Sequence, residues 1–286
     1  ISIKPKNGTF VSDFDKTQIK NKLKSYSIAG INSEIVDLKI LYVELDSTVY
    51  YNPAQILSEN NLKTQITTAL NNYADNVEIN KFGGRFKYSK INQLIDRVEN
   101  GVTSNITKVI IRRDLKALLN QFAQYELCFG NQFNINPAGY NIKSTGFTVS
   151  GSSSIAYFTD IPNKDAAGNL DGSMKGTISV VSKNNKDEEV VLIKSAGSVD
   201  YKKGEIILNT INIVSTQASN NIIEVQAYPE SNDVIGLKDL FVSFDVSNSS
   251  INMRKDVIAS GEDVSGVVFT RDYFTSSYSN GVLERE

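Results

Sequence analysis

Residues 34–51 read EIVDLKILYVELDSTVYY, and the alternation in this stretch sets the fold class. Val36, Leu38, Ile40 and Tyr42 fall on one side of an extended chain, and Leu41, Val43 and Leu45 on the other, because successive strand side chains point to opposite faces. Both faces turn apolar toward the middle. That predicts a strand covered on two sides for part of its length, or one bearing a bulge. Before it, Asp13 to Tyr26 carries Phe14, Ile19, Leu23 and Tyr26 near the 3.6 period of a helix, with Ser12 or Asp13 to cap its start and Gly30 as a stop. After it, Ser58 opens a helix through about Tyr73, with Leu62, Ile66, Leu70 and Tyr73 as its apolar stripe. The link Lys81-Phe82-Gly83-Gly84-Arg85-Phe86 follows. A third helix is predicted after Ser89, where Ile91, Leu94, Ile95 and Val98 stand at i, i+3, i+4 and i+7, with Gly101 at its stop. Ile106 to Arg113 reads as a second strand. The order helix, strand, helix, helix, strand predicts a small α+β layer, its two strands paired and its helices on one face.

Composition changes near residue 120, beyond which Gly, Ser, Asn and β-branched residues dominate without a long helical pattern. Tyr125 to Phe129 either adds a strand or leads into the next domain. Thr177 to Ser182 and Glu188 to Ile193 flank a turn at 183–186. Val199 to Tyr201 turns through Lys202-Lys203-Gly204 into Glu205 to Ile211, and Ile222 to Ala227 and Leu240 to Val246 follow as strands. The fold class read from this pattern is α+β: a helix/strand layer domain over residues 1–125, then a mainly β, sandwich-like domain over 126–286 ending in a tail. Asn163 to Met174, poor in large apolar residues, is expected to be an exposed loop, and Tyr273 to Glu286 a tail that needs a partner surface.

The 286 residues carry 30 basic and 32 acidic side chains, net −2, which leaves no electrostatic footprint for nucleic acid. No apolar run approaches the ~20 residues of a membrane helix, so no membrane partner is expected. The first residue is Ile1 rather than Met, and we expect a boundary there, with part of a longer parent protein before it. Histidine is absent and Cys128 is the one cysteine. That removes Ser-His-Asp and Cys-His catalysis, His-ligated zinc and thiolate clusters, and Cys128 is read as a buried, inert thiol. Carboxylate chemistry stays open through Glu44 with Asp46, which share a strand face, or through Asp187, Glu188 and Glu189 beside a turn; solvated acids are the plainer reading of both. Asp160 to Asp171 lacks the alternation of a calcium loop, and Phe82-Gly83-Gly84-Arg85 lacks phosphate-loop spacing. The latter is read as a tight turn with Gly supplying positive φ; the alternative reading makes Arg85 an interface contact. No catalytic residue, cofactor, metal or small-molecule substrate is expected.

The run Val49-Tyr50-Tyr51-Asn52, then Leu62 to Tyr73-Ala74-Asp75, Phe82-Gly83-Gly84, Ser89-Lys90 and Ile95-Asp96 resembles the baseplate J-like family. Gly197-Ser198-Val199-Asp200-Tyr201-Lys202-Lys203-Gly204-Glu205-Ile206 resembles a phage tail β-hairpin pattern. Their order is similar to the C-terminal part of the wedge proteins of T-even-type contractile-tail bacteriophage baseplates. The resemblance implies a non-enzymatic scaffold in the virion tail baseplate, assembled in the host cytoplasm. Such a scaffold joins wedges into a ring around the hub as a homodimer or through ring-forming contacts, and touches other baseplate wedge proteins. Interface candidates from the residues are Arg85 and the aromatic group Phe269, Tyr273, Phe274 and Tyr278, set among Ser, Thr and Gly and suited to subunit contact or to local packing. The competing classes are an adhesin- or fibre-like binding module and a two-carboxylate glycosidase.

Overall fold

Helices and strands form where apolar spacing asks for them, and distant parts of the chain complete them. A computed structural model describes residues 2–3, 11–26, 34–76, 78–79, 81–184, 186, 188–237, 240–256, 278–279 and 282–283. Its first half runs β1 (Ser2–Ile3), α1 (Asp13–Lys24), β2 (Val36–Asp37), β3 (Lys39–Tyr51), α2 (Glu59–Ala74), β4 (Arg85–Phe86), α3 (Tyr88–Asp96), β5 (Val102–Lys116) and β6 (Phe122–Cys128). The second half holds β7 (Lys143–Ser144), β8 (Phe147–Val149), β9 (Ala156–Pro162), β10 (Lys175–Lys183), β11 (Glu189–Asp200), β12 (Glu205–Thr216), β13 (Ile222–Ala227), β14 (Val234–Ile235), β15 (Leu240–Phe244), β16 (Ser250–Lys255), β17 (Tyr278–Ser279) and β18 (Val282–Leu283). The described residues are thus mainly β, with three α-helices.

Ser12 caps α1 by accepting the Asp15 N–H, and Ser58 caps α2 by accepting that of Asn61. The expected stripe of α2, Leu62, Ile66, Leu70 and Tyr73, is buried, as are Ile91 and Ile95 of α3. They share one core with Leu41, Val43, Leu45, Val49 and Tyr51 of β3. The start of α3 differs from its reading: it begins at Tyr88, ahead of Ser89, because the Asp233 carboxylate accepts the Tyr88 N–H at 2.8 Å from far along the chain. The helix ends at Asp96, and Gly101 serves packing instead: a Cβ there would lie 2.6 Å from the Ile56 side chain.

β3 pairs antiparallel with β5, from Tyr42 opposite Arg112 to Tyr51 opposite Val102, with a register shift between Tyr50 and Tyr51 near its end. Its other edge is covered in two steps. β15 runs parallel to residues 39–43 and β16 parallel to 46–51. Between them the Asp245 N–H donates to the Val43 carbonyl, and Ser249 Oγ accepts the Leu45 N–H at 3.0 Å. Thus the ladder of β3 stays satisfied across the break. β13 extends the sheet beyond β5, and β7 joins β13 to β9.

The second half closes on itself. β9 pairs with β10, β10 with β11, β11 with β12, β12 with β8, and β8 with β9. This barrel-like circuit corrects the sandwich-like expectation. β12 is the reason: register shifts after Leu208 and Ile213 bend it, so that its first part pairs with β6 and its last with β8. Under this circuit Asp160 is wholly buried. Its Oδ1 accepts the Ile142 N–H at 2.6 Å and its Oδ2 the Tyr201 hydroxyl at 2.7 Å. Burial, and next the Asp160 charge, push the Tyr201 phenol up. The 163–174 segment is exposed almost throughout, as its composition suggested.

Candidate interaction surface and a buried charge cluster

β5 sets Arg112 between Tyr42 of β3 and Gln226 of β13 in the ladder, and the side chain is buried. Its Nε lies 2.7 Å from Glu44 Oε1 and its Nη2 2.8 Å from Asp245 Oδ2, while Nη1 meets Glu224 Oε1 and stands 3.6 Å from Asp114 Oδ1. The Nε–Glu44 contact is an ion pair without hydrogen-bond alignment. The guanidinium also lies 4.4 Å from the centroid of the Tyr42 ring. One cation therefore faces four carboxylates. Burial, opposed by Arg112 and reinforced by Asp245, Glu224 and Asp114, pushes the Glu44 carboxyl up to about 7. Burial raises Asp114 too. For Asp245 burial is outweighed: hydrogen bonds from Ser247 and Asn248, together with Arg112, hold its carboxyl below the usual range.

A carboxyl poised near neutrality is what acid/base chemistry uses, yet access decides otherwise. Glu44 is 3% exposed, its Oε1 is against Arg112, and its Oε2 accepts from Gln226 Nε2 at 2.8 Å. At 3% exposure the carboxyl is closed to a substrate atom. The cluster ties β3, β5 and β13 to the turn after β15. Reading Glu44 as a solvated acid is thereby corrected: its strand face carries a partner cation rather than water. Asp46 is half-buried in register with Lys108, and Glu188 and Glu189 are exposed beside their turn. Cys128 is half-buried rather than buried, and its carbonyl accepts from Arg113. Among the described residues no group of three His, Cys, Asp or Glu is set to hold a metal ion, and no helix is long and apolar enough to cross a membrane.

Arg85 belongs to a different place. Gly83 takes φ +68°, as the turn requires, and Gly84 is fixed sterically, since a Cβ would meet the Ile79 carbonyl oxygen. The turn delivers β4 to β14, with Arg85 opposite Ile235. Arg85 is exposed, as are its ladder partner Ile235 at 44% and, on the same two segments, Phe82 at 52% and Leu237 at 44%. Phe82 packs edge-on against Phe241 at 5.8 Å between centroids. Arg85, Lys81, Lys87, Glu78 and Gly83 line a hollow of about 220 Å³. Of the other interface candidates, Phe269, Tyr273 and Phe274 lie outside the described residues. Tyr278 lies in β17, which pairs with β18. Ile235 and Leu237 were missed because nothing local in the sequence links them to Arg85. A second apolar set stands out on α1 and just past its end, where Phe14 is 70% and Tyr26 80% exposed.

Residues 39–114 match the family model of baseplate structural protein gp6, C-terminal domain III, and residues 1–36 that of its C-terminal domain I. The baseplate wedge protein gp6 of Enterobacteria phage T4 is 28% identical over 118 residues, which is 41% of this chain and 18% of that protein. The chain is thus similar to the C-terminal part of a phage baseplate wedge protein, a structural component by its name, and the alignment spans under a fifth of that relative's length.

Proposed function

We propose that this chain is a structural part of a contractile-tail baseplate wedge, located in the virion tail baseplate and assembled in the host cytoplasm. It joins wedges into a ring around the hub through self-association, as a homodimer or through ring-forming contacts, and through contacts with other wedge proteins. The match of residues 1–36 and 39–114 to two gp6 C-terminal domains carries this reading. The exposed Phe14 of α1, Tyr26 just past its end and the apolar residues next to Arg85 support it, since surfaces of this kind are covered in assemblies. The aromatic residues Phe269, Tyr273, Phe274 and Tyr278 are proposed as a further subunit contact.

Absolute mass by light scattering over a concentration series tests the reading. A dimer or larger species that persists on dilution is expected. A strict monomer at every concentration would remove self-association and favour a binding module. In the same series, truncation after Asp272 is expected to weaken association without unfolding the chain; unchanged association would remove the tail from the contact.

A further inference from the structure

We infer that the face built by the turn before β4 and by β14 docks an acidic, apolar segment of a different protein, whose carboxylate sits among Lys81, Arg85 and Lys87. This rests on the assembly reading above and names the chemistry of one partner.

Three observations carry it. First, charge is lopsided in the hollow. Its lining offers Lys81, Arg85 and Lys87 against the single carboxylate of Glu78. Glu78 is already engaged by Lys90 Nζ at 3.3 Å, and that hydrogen bond is the chief reason its carboxyl is held below the usual range. In a chain of net charge −2, a local surplus of cations around one occupied acid is complementary to an incoming carboxylate. Second, the hollow is open to solvent at Gly83, where nothing lies within 4 Å of the place a Cβ would stand. Third, exposed apolar surface adjoins Arg85: Ile235 is its ladder partner, and Phe82 and Leu237 lie close by in sequence on the same two segments.

The face is also preorganised, which lowers the cost of binding. The Gly236 N–H donates to the Gly84 carbonyl at 2.9 Å, Asn131 brackets Ile235 by accepting its N–H and donating to its carbonyl, and Asp233 holds the start of α3. The occupant is not a second copy docked on the same face. A two-fold contact sets a patch against itself, which would bring three cations against three.

The test uses the 286-residue chain and two fluorescent nine-residue peptides. One alternates Glu with Leu; the other has Gln at each Glu. Anisotropy titrations at two salt concentrations are expected to show saturable binding of the Glu peptide. Binding should be at least tenfold weaker for the Gln peptide, weaker at higher salt, and at least tenfold weaker in the double variant Arg85→Gln with Lys87→Gln. Both side chains are solvent-accessible, and an unchanged circular dichroism melt checks that the variant folds. Equal affinity for the two peptides, full binding by the variant, or no saturable binding up to millimolar peptide would overturn the inference. Light scattering of the same variant separates the two readings. Unchanged self-association with lost peptide binding supports the docking face; altered self-association makes it a contact between copies and overturns the inference while the assembly reading stands.

Discussion

Replacing Arg112 with Met removes the single cation that four carboxylates share and leaves a side chain of similar length in the same buried space. Breaking a buried ion pair from one side costs about 3–5 kcal/mol, because the remaining charges are stranded, and here the stranded groups also repel one another. Protonation should relieve part of this cost. Glu44 is already held near 7 in the folded protein against an ordinary value of 4.5, so the folded state binds this proton more tightly than the unfolded chain. Stability from Glu44 is therefore greatest below about 4.5 and declines as pH rises through 7. Arg112 is the one charge pulling Glu44 down. Without it the decline steepens and extends above 7. Asp245 has the opposite sign but acts only below about pH 4. Urea titrations followed by circular dichroism and tyrosine fluorescence, practical in a chain with 13 Tyr and no Trp, would compare pH 5.5 with pH 8. The Arg112→Met loss is expected to be larger at pH 8 by about 1–2 kcal/mol, after discounting the shift for residual solvent screening. Glu44→Gln, which removes the titrating charge, should flatten the profile of the parent chain. A loss under about 1 kcal/mol at pH 8, or one equal at both pH values, would refute the account of the cluster.

The two neighbouring glycines of the turn should behave differently. Gly84→Ala is expected to cost at least about 2 kcal/mol and to loosen β4 from β14, because its Cβ has the Ile79 carbonyl in its way. Gly83→Ala, which points into open space, should cost only the ~1 kcal/mol of a left-handed backbone, as thermal melts of the pair would report. Tyr201→Phe strips the buried Asp160 carboxylate of its hydroxyl donor at 2.7 Å and should cost about 1–3 kcal/mol. A denaturation midpoint unchanged from the parent would show that water or another donor replaces the hydroxyl.

α2 and α3 were legible because each buries a stripe against a core whatever lies further along the chain: Leu62, Ile66, Leu70 and Tyr73 announce α2 on their own. α1 was legible from its Ser12 cap and its spacing, yet its Phe14 stays exposed. The start of α3 was not, since its capping group is Asp233 rather than a residue before the helix. The partial two-sidedness of β3 was read from Leu41 to Leu45, but the partner of Glu44 was hidden. Arg112 looks like any strand arginine until β13 and the β15–β16 turn bring Gln226, Glu224 and Asp245 to it. The hairpins around residues 183–186 and 202–204 were visible in their turn chemistry. Closure of the circuit was not, because it depends on bends within β12 that no residue type marks. Arg85 was singled out from the turn, whereas Ile235 and Leu237 could be joined to it only through the pairing of β4 with β14.

The parallel return onto β3 has a consequence for synthesis. Leu45 and the Ser249 hydroxyl that completes its hydrogen bonding are 204 residues apart. At about 5–20 residues per second the ribosome needs on the order of 10–40 s to deliver the second after the first. Until β15 is made, one edge of β3 has no partner from its own chain, and Arg112, once made, can meet Glu44 and Asp114 before Glu224 and Asp245 follow. An unpaired strand edge is a template for other strands. On a message carrying several ribosomes, the bare edge of β3 is one place where a nascent chain is open to capture by its neighbour.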